Sequence, residues 1–261
     1  MTALAALEHA NMIEALALLG GYVGDATVRR ADGVAIVATG LPIVLFNQVI
    51  VEREAATPTA VAAAVGVMRE RGSRFVVNLR VGTDDRFVGL MAKLGLVPLS
   101  ERPWMPGMAL HPVPTERPPA DLPGHEIRQV AGEAGLEDHI RTTSVGFDLP
   151  QEIIRAVMVA DLLGHEEVAI YVGYTDGEPV TSGLGLRTGR TIGVYNIATL
   201  ASARGRGYGA AMTRRVAADG TAAGCDVATL QASEMGRPIY ERLGYRTVVE
   251  YMGYVEPPTA E

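Results

Sequence analysis

Seven of the fifteen prolines fall between residues 103 and 123. Proline removes a backbone donor and fixes φ, so neither a continuing helix nor a central strand crosses a run this dense. The stretch reads as a linker with a boundary near residues 111–124. It divides the chain into a first domain over 1–115, a linker over 116–124 and a second domain over 125–261. The full 261 residues leave room for two domains of ordinary size.

Composition bounds the class. With 48% hydrophobic and 20% charged residues the chain is globular, not disordered or collagen-like. No stretch approaches the roughly 18 uninterrupted apolar residues of a membrane span, and the N-terminus lacks the basic region of a secretory signal, so a cytoplasmic protein is expected. The single cysteine, Cys225, cannot form an internal disulfide. The five histidines (His9, His111, His125, His139, His165) never occur as i, i+4 pairs, so no metal site is expected. Lysine and arginine balance aspartate and glutamate over residues 1–120, with 11 of each, whereas residues 121–261 hold 12 against 19. That acidic half argues against nucleic acid as a partner.

Periodicity gives the second segment helices over 136–143 and 151–163, then strands over 168–175 and 179–187 joined by an Asp176-Gly177 turn. A strand over 191–200 follows, then a Gly-rich turn at 204–209, a helix over 209–223 and a strand over 227–232. A short helix over 238–243 and a strand over 246–255 complete the segment. This is an α/β (α+β) order, helices flanking a mixed sheet. The first segment overlays the second at an offset of 149 residues: Asn47 falls on Asn196 and Leu94-Gly95 on Leu243-Gly244. Where the second half has Arg204-Gly205-Arg206-Gly207-Tyr208-Gly209, the first has Ala55-Ala56-Thr57-Pro58-Thr59-Ala60, and Met91 stands opposite Tyr240.

Three glycines between a strand and a helix permit a tight turn, close approach of a ligand and a view of the helix N-terminal amides. With Arg204 and Arg206 this predicts an anion site; its bland alternative is a strand-to-helix loop. A Walker loop needs a lysine here, and the only lysine is Lys93. Gly205-x-Gly207-x-x-Ala210 matches a dinucleotide fingerprint formally, but Asp226 begins the next strand instead of ending it, and too little chain follows for a doubly wound sheet.

The turn resembles the Arg/Gln-x-x-Gly-x-Gly/Ala signature of the GCN5-related N-acetyltransferases (GNAT). The downstream stretch Ser233-x-x-Gly236-x-x-x-Tyr240-x-x-x-Gly244-Tyr245 is similar to that family's Asn-x-x-Ala-x-x-x-Tyr-x-x-x-Gly-Phe. Ser233 departs from the usual asparagine, Gly236 from alanine and Ala201 from a proline. The resemblance covers residues 125–255 directly and the first half through its likeness to the second. It implies two GNAT-like domains, each a mixed, mostly antiparallel sheet flanked by helices, the first without cofactor binding.

The same resemblance implies acetyl-CoA as co-substrate, with the pantetheine arm along Ile197, Ala198 and Thr199 and the pyrophosphate on Arg204, Gly205, Arg206, Gly207, Tyr208 and Gly209. Ser233 is a further ligand contact. An amide of Ile197 or Ala198 polarises the thioester carbonyl for direct attack by an amine, without a covalent enzyme intermediate. Tyr240 protonates the departing thiolate, a phenol being protonated at pH 7. Cys225 reads as a buried structural thiol, and no residue is assigned as general base. Tyr195 and Asn196 are candidates to face the acceptor, expected to be a small-molecule amine. Neither nucleic acid nor a membrane is expected as partner, and a homodimer is compatible with the sequence. A non-catalytic acyl-CoA sensor and a transferase of longer acyl groups stay open.

Overall fold

The computed structural model describes residues 2–114 and 122–258. The chain opens with helix α1 (Ala3–Gly21), whose N-cap Thr2 accepts from the Ala5 amide. Strands β1 (Thr27–Ala31) and β2 (Val34–Ala38) form a hairpin turned by Asp32-Gly33, both at positive φ as a two-residue primed turn requires. Then come β3 (Asn47–Val51), helix α2 (Pro58–Glu70), β4 (Val76–Arg80), the short helix α3 (Val88–Lys93), β5 (Val97–Pro98) and β6 (Met105–Leu110). Thr57 caps α2, its hydroxyl accepting from Ala60, with Pro58 in the first turn where a missing amide costs nothing.

The second stretch runs β7 (His125–Gln129), α4 (Glu133–Phe147), α5 (Gln151–Val157), β8 (Val168–Thr175), β9 (Glu178–Thr188), β10 (Thr191–Thr199), α6 (Tyr208–Ala222), β11 (Val227–Gln231), α7 (Arg237–Arg242) and β12 (Arg246–Val255). Asp176-Gly177 turns the β8–β9 hairpin with the same positive-φ pair as Asp32-Gly33.

Two compact units result: Met1–Gly107 with Thr247–Glu261, and Met108–Arg246. In the first, β1, β2 and β3 are antiparallel neighbours, β3 and β4 run parallel, and β12 closes antiparallel on β4 from Tyr251↔Arg80 to Tyr254↔Val77. Its core gathers Val49, Val51, Val61, Val65, Phe75, Val77, Phe87 and Met91, with Tyr254 from β12. In the second, β7, β8, β9 and β10 are antiparallel neighbours and β10 and β11 run parallel. Met212 and Val216 of α6 pack there on Ile192, Val194, Ala228 and Leu230.

This division departs from the expected boundaries. Residues 247–255 belong with the first unit and not with 125–246, because β12 hydrogen-bonds to β4 and buries Tyr251 and Tyr254 there. The expected linker falls largely on residues outside those described, and His125, the first residue after it, begins β7. The helix expected over 151–163 ends at Val157, where Met158 and Val159 leave helical dihedrals, and a 3-10 turn over Ala160–Gly164 follows. By length and composition α1 could cross a membrane. Its Glu8, His9 and Asn11 are buried within the first unit, where His9 and Glu8 meet the Tyr251 hydroxyl, as in a core helix.

Candidate functional site

The site is built where β10 stops being an ordinary strand. Its parallel register with β11 covers Thr191↔Val227, Ile192↔Ala228 and Gly193↔Thr229, and from there to Thr199 its register is with β9. On that side Tyr195 faces Leu184 while Ala198 faces Ser182, so β10 holds one extra residue in a β-bulge. Asn196 sits in the bulge at φ 51°, a left-handed conformation that asparagine tolerates better than most residues.

The bulge fixes the direction of two peptide groups. Ser182 Oγ donates to the Asn196 carbonyl at 3.0 Å and Thr181 Oγ1 donates to the Ala198 carbonyl at 2.6 Å, so both carbonyls face β9. In a trans peptide the C=O and the following N–H point opposite ways. The amides of Ile197 and Thr199 are therefore turned from β9 toward the β11 side, where the two strands have parted. Ala198 is extended, and its own amide shares the β9 side with its carbonyl. Of the two amides expected to polarise a carbonyl, only that of Ile197 is directed into the opening.

Beyond β10 the loop reaches α6 through Gly205 at φ 78° and Gly207 at φ 87°. L-side chains rarely adopt either conformation, and a β-carbon on Gly207 would also stand 3.4 Å from Leu122 Cδ1. Gly207 is the N-cap of α6, and the first intrahelical bond runs from the Ala211 amide to its carbonyl. The amides of Tyr208, Gly209 and Ala210 thus precede the helical ladder at the N-terminus of α6. A β-carbon on Gly209 would stand 3.2 Å from Thr199 Oγ1, so the first turn of α6 closes onto the end of β10.

The side chains of the turn divide their work differently from expectation. Arg204 donates through Nε to the Thr199 carbonyl and through Nη2 to the Gly146 carbonyl, tying the loop to β10 and to α4. Its guanidinium is a brace for the loop. Tyr208 is buried with its ring stacked on His125 at 4.2 Å, which leaves its amide as its contribution to the cradle. Arg206 is exposed beside the glycines.

After β11, Ser233 Oγ accepts from the Gly236 amide at 3.1 Å and so holds the start of α7, a role an asparagine would also perform. Tyr240 on α7 packs on the core and lies edge-on to Tyr245, ring centroids 6.1 Å apart. Burial pushes its phenol up to about 12, so it is protonated across the neutral range. Burial likewise pushes the Cys225 thiol up, and Asp226 pairs with Arg190. Asn196 points its amide at Met158 Sδ, 3.5 Å away.

In the first unit the end of β3 is bonded to a side chain of α1. The Glu52 amide bonds to the Gly33 carbonyl, so the Val51 carbonyl, opposite it in the same peptide, points away from β2. His9 Nε2 donates to that carbonyl at 2.9 Å, and its Nδ1 lies 2.9 Å from the Tyr251 hydroxyl. β3 has five residues against nine in β10, and the loop into α2 contains no glycine. The overlay of Asn47 on Asn196 is corrected by the register: Gln48↔Val76 opens the parallel pair where Thr191↔Val227 does, so Asn47, opposite Ala38 of β2, stands just before that pair while Asn196 lies in the bulge. Asn47 instead braces a loop, accepting from Thr39 and Gly40 and donating to Leu41 and Ile43.

The antiparallel run into a bulged strand, the end of that strand's parallel pairing with β11 and the glycine turn before the following helix lie in one continuous stretch of chain, and chains of known structure share that layout from end to end. The fold is that of the GNAT acetyltransferases. The family model described as acetyltransferase (GNAT) domain matches residues 166–247, which span β8 to the start of β12 and contain the bulge, the cradle and Tyr240. A GCN5-related N-acetyltransferase from Kribbella flavida is similar over 95% of both chains, with a TM-score of 0.67 and 18% identity. One from Sphaerobacter thermophilus covers 98% of this chain and 95% of its own, with a TM-score of 0.60 and 15% identity. A tandem GNAT protein from the clavulanic acid biosynthesis pathway covers 97% and 96%, with a TM-score of 0.60 and 11% identity. No curated protein matches by sequence. Within this GNAT fold, sequence reasoning missed Thr143, Gly146, Thr181 and Ser182; the only signal was two adjacent hydroxyls in the otherwise apolar β9.

Proposed function

We propose that the protein is an acetyl-CoA-dependent N-acetyltransferase whose chemistry resides in residues 125–246. The first unit is a GNAT-like domain that has lost cofactor binding. The observation that carries this reading is the Ile197 amide directed into the opening between β10 and β11, on a strand that ends at the Gly205–Gly207 cradle.

The pantetheine arm pairs with β10 along Ile197 to Thr199, and the pyrophosphate lies on the amides of Tyr208 and Gly209 beside Arg206. The Ile197 N–H donates to the thioester oxygen, an interaction that strengthens as negative charge develops there. The amine attacks the carbonyl carbon, the C–S bond breaks, and Tyr240 gives its proton to the leaving thiolate. The proton lost by the amine is assigned to no residue. The bond from His9 to the end of β3 and a loop into α2 without glycine support a first unit that takes no acyl-CoA. The acceptor is a small-molecule amine and the compartment cytoplasmic.

Release of free thiol from acetyl-CoA in the presence of a panel of amines tests the reading, alongside calorimetric binding of acetyl-CoA. Wild type should bind and turn over, and Tyr240→Phe should bind as tightly with turnover reduced about 10²-fold, within the range of a lost general acid. Binding without turnover on any amine would favour a non-catalytic acyl-CoA sensor. No binding by folded protein would overturn the proposal.

A further inference from the structure

Three buried hydroxyls converge on the bulge. Thr143 from α4, and Thr181 and Ser182 from β9, have no accessible surface to speak of. Thr143 Oγ1 donates to Ser182 Oγ at 2.9 Å, Ser182 Oγ donates to the Asn196 carbonyl at 3.0 Å, and Thr181 Oγ1 donates to the Ala198 carbonyl at 2.6 Å. The order of donation is determined: a carbonyl only accepts, so the Ser182 proton is committed to Asn196 and its lone pair receives the Thr143 proton.

A bulged residue is the one place in a strand where the ladder does not fix the peptide plane. At Asn196 the strand would otherwise be free to rotate the 196–197 peptide, which would turn the Ile197 N–H out of the opening. We infer that Thr143 and Ser182 form a hydroxyl clamp that sets the Asn196–Ile197 peptide plane, with Thr181 bracing the Ala198 carbonyl just beyond the bulge, making Ser182 a positioning residue for the amide that polarises the acyl carbonyl. The inference deepens the acetyltransferase reading and rests on it for its catalytic consequence, while the geometry it describes belongs to the protein alone.

The clamp also explains why two polar residues stand next to each other in an apolar strand. Adjacent residues of a strand face opposite sides of the sheet. Thr181 and Ser182 nonetheless both reach carbonyls of β10, because the carbonyls of Asn196 and Ala198, two residues apart, lie on the edge of β10 that faces β9.

The experiment uses the full chain with Ser182→Ala, Ser182→Thr and Thr181→Val. Without ligand, the 1H–15N resonance and hydrogen exchange of the Ile197 amide should change in Ser182→Ala and return toward wild type in Ser182→Thr, while the amides of β8 are unmoved. With acetyl-CoA and an accepted amine, Ser182→Ala should keep its Kd for acetyl-CoA within about threefold and lose kcat by about 10- to 100-fold, less than outright removal of such a donor. Thr181→Val, which keeps the shape, should lose less. An unchanged Ile197 amide in folded Ser182→Ala overturns the clamp whether or not the protein acetylates anything. An altered amide with unchanged kcat overturns its positioning role. Failure of wild type to bind acetyl-CoA overturns the acetyltransferase reading and leaves the amide measurement to decide the clamp. Should Ser182→Ala not fold, Thr181→Val and Ser182→Thr carry the same comparison.

Discussion

A β-carbon on Gly236 would stand 2.9 Å from Cε2 of Tyr240 and 3.2 Å from Ser233 Oγ. Gly236 has ordinary helical dihedrals, so its lack of a side chain serves the ring and not the backbone. Gly236→Ala should therefore fold normally and push the Tyr240 ring aside. Steady-state kinetics should show kcat down by about 10-fold, less than the roughly 10²-fold or more of a general acid removed outright, with the Kd for acetyl-CoA unchanged. An alanine variant with full kcat would mean that the ring yields without consequence.

Gly146 presses α4 on β10. A β-carbon there would lie 2.7 Å from Ala198 Cβ and 3.4 Å from the Thr199 amide nitrogen, and neither neighbour is a flexible chain end. Alanine in a helix is ordinarily stabilising by about 0.5–1 kcal/mol relative to glycine. Here overpacking should reverse the sign, costing about 1–3 kcal/mol in urea unfolding and weakening acetyl-CoA binding as α4 and β10 move apart. A more stable Gly146→Ala protein would contradict this packing.

If the His9–Val51 contact closes the first unit, titration calorimetry should give one acetyl-CoA per chain. Gly207→Glu, which sets bulk and negative charge in the cradle at a φ of 87°, should abolish binding altogether. Residual binding by that variant would locate a second site in the first unit.

Two histidines link stability to pH. Burial lowers His139 to about 4 against an opposing bond to the Tyr171 carbonyl; burial and Arg80 lower His9 to about 4 against Val51, Asp84 and Glu52. The unfolded chain takes up a proton on each near pH 6.5 while the native one resists until about pH 4. Stability should be full above pH 6.5 and fall as pH drops through that window, with each histidine accounting for about 2 kcal/mol between pH 7 and 5. His139→Asn can donate to the same carbonyl without titrating, and urea unfolding at the two pH values should show the loss reduced by about that amount. An unaltered slope would remove His139 from the account.

Much of this was legible from residue order alone. The Asp176-Gly177 hairpin, the strands around it, the cradle and α7 stand within a residue or two of where turn chemistry and periodicity put them, because each is a local device. The same rule applied to Asp32-Gly33 would have found the first hairpin. What could not be read were relations at long range. The side-chain partners of Arg204 and the hydroxyls of β9 are determined by which strands lie side by side. The placement of Asn47 failed for a related reason: an offset without gaps ignores strand pairing, which sets Gln48 level with Thr191 at the start of the parallel pair.

Tyr251 pairs with Arg80, and the whole of 108–246 lies between them in the chain. A ribosome therefore releases the residues of β4 long before it releases their partner strand. During that interval the first unit holds an open sheet edge with a vacant place for Tyr251 and Tyr254, while residues 108–246 can already collapse on their own core. The half made first can thus complete its sheet only after the half made second has been released, and a truncation upstream of β12 would strike the half made first.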